Sequence, residues 1–149
     1  MRGSHRRDHA IPIKNAVMSG FTPLGVRRDH SVVRNGARCA GVHLIIDLHG
    51  ARRLDDIDYI ESVMRRCVDA AGATLLHIHL HRFRPDGVSG VAVLAESHIS
   101  IHTWPAAGYA ALDIFMCGDT DPDKCVPILR EAFAAKRVDV SEVLRGRVG

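Results

Sequence analysis

The peptide bond between Glu96 and Ser97 is where this 149-residue chain places its most suggestive chemistry. A serine hydroxyl can attack the carbonyl that precedes it, closing a five-membered ring that reopens as an ester. Elimination from that ester leaves dehydroalanine, which hydrolyses to a pyruvoyl group on a new chain start. Any X-Ser bond holds the atoms, and almost none react, so the neighbours decide. Downstream stand His102, an imidazole able to take a proton near neutral pH, and Cys117, a thiol that can donate one when its surroundings set its pKa. Each also has an ordinary reading: His102 as a hydrogen-bonded strand histidine, Cys117 as a small buried hydrophobe, Phe83 as core. A separate group, His77-x-His79-x-His81, sets three imidazoles on one strand face at steps of about 7 Å. Two histidines at that spacing can chelate zinc, but no carboxylate or thiolate completes a tetrahedral set. A solvated or subunit-facing strip is the reading taken, and no metal is expected.

The elements that must position these groups are legible from periodicity. Residues 43–49 form a short apolar run closed by Gly50, read as a strand. Leu54 to Ala71 reads as a helix, with Ile57, Ile60, Met64, Cys67 and Ala71 at spacings of three and four. Asp55, Asp56 and Asp58 favour its positive end, and Gly72 stops it. Leu76, Ile78 and Leu80 alternate with the three histidines in a half-buried strand, and Arg84-Pro85-Asp86-Gly87 signals a turn. Strands follow at 90–95 and 98–103, flanking Glu96-Ser97, and another runs over 109–117 after the turn at 104–108. A second helix follows Asp121 with Pro122 near its start; Pro127 implies a late start or a kink. Val138-Asp139-Val140 reads as a last short strand. The expected class is α+β: a two-layer sandwich with a mainly antiparallel sheet and helices on one face.

Length suits one domain. The net charge of +3 is unevenly spread, with eight Arg or Lys against two Asp within residues 1–40. That stretch lacks sustained periodicity and is read as a basic, flexible extension, leaving 41–149 as the domain. It has no aromatic interleaving for base stacking, so no nucleic-acid partner is expected. No apolar run approaches the ~20 residues of a membrane span, so no membrane partner is expected either. Cys39, Cys67, Cys117 and Cys125 form no C-x-x-C pair, which points to reduced thiols and a cytoplasmic setting.

In order and spacing, several motifs act as one set: His81-Arg82-Phe83, Gly87-Val88-Ser89-Gly90, Glu96-Ser97-His98, Ile101-His102-Thr103-Trp104-Pro105, Gly108-Tyr109-Ala110-Ala111, and Phe115 with Cys117-Gly118. Over about residues 41–140 the chain resembles the prokaryotic S-adenosylmethionine decarboxylase proenzymes, which make a pyruvoyl cofactor from their own serine. The resemblance implies cleavage between Glu96 and Ser97 into fragments 1–96 and 97–149, with Ser97 becoming the pyruvoyl group. It implies His102 in the elimination step, Ser89 hydrogen-bonded to the cyclic intermediate, and Cys117 as the acid that protonates the substrate carbon. It also implies a Schiff base between the pyruvoyl ketone and the substrate amine, with the carbonyl as electron sink. Phe83 and Asp47 are the expected substrate-binding residues, and a homodimer of cleaved protomers is implied.

The sequence departs from that family at two places. Members commonly read Trp-Pro-Glu-Tyr-Gly-Tyr where this chain has Trp104-Pro105-Ala106-Ala107-Gly108-Tyr109, and Leu-Tyr-Gly-Cys where it has Leu48-His49-Gly50-Ala51. In the family that glutamate holds ribose hydroxyls, and a hydrogen bond to a charged group contributes ~1.5–3 kcal/mol. Either other groups, such as Asp47, rebuild the nucleoside pocket, or the substrate is arginine or ornithine. Decarboxylation of S-adenosylmethionine in polyamine biosynthesis is the reading preferred.

Overall fold

A computed structural model describes residues 30–148. Its elements are β1 (Val32–Arg34), β2 (Ala37–Cys39), β3 (Gly41–His49), α1 (Ile57–Ala71), β4 (Leu75–Arg82), β5 (Val88–Leu94), β6 (Ser97–Trp104), β7 (Tyr109–Met116), α2 (Cys125–Ala132) and β8 (Arg137–Arg145). Six strands form one antiparallel sheet in the order β4-β5-β6-β7-β3-β8, and β1 pairs with β2 in a separate hairpin.

Strand alternation divides this sheet into two unlike faces. Val42, Leu44, Ile46 and Leu48 of β3, Ile99 and Ile101 of β6, and Leu112, Ile114 and Met116 of β7 all point inward and are buried. The apolar stripe of α1 (Ile60, Val63, Met64, Cys67, Val68 and Ala71) joins them in one core, with Leu129 and Phe133 from α2 and the residue after it. Burying each such large side chain contributes roughly 1.5–3 kcal/mol. Both helices thus lie on one face of the sheet, as the α+β two-layer reading requires. Among the described residues no helix is long and apolar enough to cross a membrane.

α1 begins where its cap is found. Asp56 accepts a hydrogen bond from the Tyr59 amide at 3.1 Å, and Gly72, at φ 72°, closes the other end. The helix therefore starts at Ile57, three residues later than periodicity indicates; Leu54 is buried but precedes it. Asp55 faces elsewhere. It accepts from the Gly87 amide at 2.9 Å and pairs with Arg82 at 2.5 Å, which together hold its carboxyl below the usual carboxylate range.

Three other expectations are refined. A bulge between Leu75 and His77 makes Leu75, not Leu76, the inward residue, and Leu76 is 64% exposed. Pro127 falls in the first turn of α2, where a backbone donor has no helical partner, so the late start is the correct alternative and no kink is needed. β8 spans nine residues rather than three; its mostly exposed edge position conceals the pattern of a longer strand. Of the stretch 1–40, residues 1–29 lie outside the described residues, whereas 32–39 form the β1–β2 hairpin. Arg34 ties that hairpin to Asp123 at 2.6 Å and Glu142 at 2.5 Å, and the Ala40 amide donates to the Arg145 carbonyl.

Candidate active site

Ala95 and Glu96 are the two residues of the tight turn that joins β5 to β6, with Leu94 paired to Ser97. Glu96 adopts φ 61°, a left-handed conformation that costs a non-glycine residue on the order of 1 kcal/mol or more. The bond proposed for cleavage is therefore held at a strained residue. Ser97 follows on the inward face of β6 and is 8% exposed. Its Oγ accepts a hydrogen bond from the backbone amide of Cys117 at 3.2 Å. Cys117 stands directly after β7, half-buried. Burial, then the Glu96 charge, then Cys39 push its thiol up from the ordinary value, and a hydrogen bond with Ser97 only partly opposes them. A thiol so placed keeps its proton at neutral pH, the state an acid needs.

Ser89 and His102 form a second cluster. They are directly paired across β5 and β6, and Ser89 Oγ lies 2.8 Å from His102 Nδ1. Both stand on the sheet face that carries no helix. His102 stands five positions after Ser97, so strand alternation turns them to opposite faces, ~17 Å apart along β6. The two groups do not meet within one chain.

An aromatic row runs beside His102. Trp104 stacks on Tyr109 with centroids 5.2 Å apart, and Tyr109 stacks on His49 at 5.5 Å. The Tyr109 hydroxyl donates to Asp47 at 2.6 Å, and that bond raises its pKa. Asp47 is thus oriented by a phenol on the same face as His102. Phe83 lies past the end of β4, 48% exposed, edge-on to His81 at 4.7 Å. Sequence reading took Tyr109 and Trp104 only as motif members; the antiparallel register that aligns them with His49 is a long-range fact. Gly90 also has a reason, since a side chain there would collide with Leu80 and the His79 carbonyl.

A third group escaped sequence reading altogether. His43, His98 and Asp113, from β3, β6 and β7, bring their polar atoms within 4.8 Å of one another, a donor set that could hold a cation. His43 Nε2 is 2.8 Å and His98 Nε2 3.5 Å from Asp113, which Ser100 also contacts. Arg145 faces Nδ1 of His43 at 3.1 Å and donates to it, which places the ring proton on Nε2, toward Asp113. Burial alone would push the Asp113 carboxyl up, but the hydrogen bonds from Ser100, His43 and His98 outweigh it and hold it below its usual value. The donors satisfy one another as a hydrogen-bonded triad. The strip His77, His79 and His81 lies on the exposed side of edge strand β4.

The family model for S-adenosylmethionine decarboxylase matches residues 42–146. The chain belongs to that family. An S-adenosylmethionine decarboxylase proenzyme of Thermomicrobium roseum is 44% identical over 110 residues, covering 72% of this chain and 95% of that one. Proenzymes of the same name from Methanococcus vannielii and Thermotoga maritima are 47% and 48% identical, covering 72% of this chain and 91% and 85% of their own. The crystal structure of the adenosylmethionine decarboxylase from Aquifex aeolicus superposes with a TM-score of 0.67 at 34% identity, covering 74% of this chain and 94% of that one. The decarboxylase match begins at residue 42, after the β1–β2 hairpin.

Proposed function

We propose that this chain cleaves itself between Glu96 and Ser97 and then decarboxylates S-adenosylmethionine, supplying the decarboxylated product to polyamine synthesis. The observation that carries the reading is the Ser97 corner, where a buried hydroxyl follows a left-handed Glu96 and rests against Cys117. In the processing step Ser97 Oγ bonds to the Glu96 carbonyl carbon, and the peptide C–N bond breaks as the nitrogen takes the proton. Loss of the Cα proton then expels the Glu96 carboxylate, and water replaces the nitrogen, released as ammonia. Fragments 1–96 and 97–149 result. A pyruvoyl group at residue 97 would lie between the β5–β6 turn and Cys117 and would supply the electron sink that decarboxylation needs.

The remaining work falls to side chains. Cys117 holds a proton at Sγ, ready for the substrate carbon. Asp47, fixed by Tyr109, and the exposed ring of Phe83 lie toward the His102 end of the sheet, so they bind the substrate held at Ser97 of a second copy. Ser89 and His102 prepare the elimination. Because they stand on the opposite face from Ser97, a homodimer is proposed in which His102 of one copy serves Ser97 of the other. The helix-free face supports this, since it exposes Trp104, Val93, Ile45 and Val143. Four unpaired thiols support a reducing, cytoplasmic setting. Ala106 lies exposed in the short turn at Pro105–Ala107, and no observation favours arginine or ornithine over S-adenosylmethionine.

The test is denaturing intact mass before and after substrate, with cyanoborohydride present. Two fragments, a substrate adduct on 97–149 from S-adenosylmethionine, and released carbon dioxide are expected. A chain that stays whole overturns the reading; an adduct from arginine or ornithine alone changes the substrate.

A further inference from the structure

The chain reaches its proposed cleavage site from a segment outside the decarboxylase match. His30 precedes the β1–β2 hairpin, twelve residues before the match begins at 42. Its Nδ1 lies 3.2 Å from a carboxylate oxygen of Glu96, and its backbone carbonyl accepts from the Gly118 amide at 2.9 Å. These two contacts link the loop that holds the Glu96–Ser97 bond to the loop that holds Cys117. They close around the Cys117 amide–Ser97 Oγ hydrogen bond already described. The hairpin is itself anchored, by Arg34 to Asp123 and Glu142 and by Arg38 and Val148 bridging backbone to backbone. Cys39, at its end, is 1% exposed and acts on the Cys117 thiol. The segment therefore brings both a packing wall and an imidazole to the site.

We propose that His30 is a positioning residue for self-cleavage, holding the Glu96 side chain so that the left-handed Glu96 carbonyl stays presented to Ser97 Oγ. The inference rests on cleavage at Glu96–Ser97. A peptide plane free to swing at Glu96 would present its carbonyl carbon to the hydroxyl for a smaller fraction of the time, and the rate would fall with that fraction. The carboxylate contact is half-exposed, which limits the effect to that of a surface ion pair.

The experiment follows cleavage of the full chain, made by cell-free synthesis and sampled on denaturing gels. His30→Ala is expected to cleave about fivefold more slowly than the parent, the upper end for a half-exposed pair. His30→Gln, which keeps a donor for Glu96, is expected to recover most of the rate. In a Glu96→Ala background, itself slower, removing His30 is expected to change nothing further. A parent that cleaves alongside an equally fast His30→Ala overturns the role of His30 and leaves the cleavage site standing. Equal slowing by His30→Ala in both backgrounds also overturns it, because the effect then bypasses Glu96. A parent that never cleaves overturns both.

Discussion

Thr103 and Ser97 are the two buried polar side chains among the described residues, and both lie on the inward face of β6. Their hydroxyls have similar burial and opposite occupations. Thr103 Oγ1 accepts from the Val88 amide at 2.8 Å and donates to the Leu54 carbonyl at 2.7 Å, so its donor and an acceptor are both engaged in joining three parts of the chain. Ser97 Oγ receives one long hydrogen bond from the Cys117 amide at 3.2 Å, has the Cys117 thiol as its other partner, and adjoins a strained residue. A hydroxyl that joins backbone groups from two distant segments is structural; one whose partners both belong to the single residue Cys117, next to a strained carbonyl, stands where it can attack. The contrast teaches that burial alone does not mark the reactive group.

The largest effect that tests this contrast is at Ser97. Ser97→Ala is expected to give a single uncleaved chain and no carbon dioxide from S-adenosylmethionine, read by intact mass and gas release; near-parental turnover would end the account. Cys117→Ala is expected to leave two fragments but lower turnover by about 10² or more, the usual contribution of a positioned acid. The pH profile sharpens that assignment. The Cys117 thiol is raised, so the protonated form persists past the ordinary value of 9.0, and turnover should hold until above that pH and then fall. An alkaline limb well below 9.0 would assign the proton elsewhere.

At Thr103 the expectation reverses. Thr103→Val leaves the Val88 amide and Leu54 carbonyl unpaired, which costs ~1–3 kcal/mol. Denaturant unfolding of the variant on a Ser97→Ala chain reads that loss, while cleavage in the Ser97 chain should continue. Lost cleavage with unchanged stability would give Thr103 a chemical part. Arg34→Ala, which removes a partly exposed pair of ion contacts from the hairpin, is expected to cost ~1 kcal/mol or less; a larger loss would make the hairpin integral to the core.

Part of this contrast is legible in the sequence. Glu96-Ser97 and Cys117 come from motif order, but the opposite facing of Ser97 and His102 does not, because the sequence reading begins the strand at His98 and the strand in fact begins at Ser97. α1 and its glycine stop follow from periodicity, whereas β3 reads in sequence only as a short apolar run of mixed pattern. Other features depend on contacts distant in sequence. The His43–His98–Asp113 triad needs the pairing of β3, β6 and β7, and the bulge at Leu76 breaks a regular alternation that pattern reading must assume. His30 carries no local signal, since a histidine in a basic stretch looks solvated until a loop 66 residues away meets it.

The strand order has a mechanical consequence for a nicked chain. Fragment 1–96 supplies β3, β4 and β5, and fragment 97–149 supplies β6, β7 and β8. In the order β4-β5-β6-β7-β3-β8, the two pieces are woven: β6 and β7 lie between strands of the first fragment, and β3 lies between strands of the second. Separating them would break three hydrogen-bonded seams at once. A cut at Glu96–Ser97 would therefore create a new chain end without creating a subunit that can drift away, and dilution alone would not pull the halves apart.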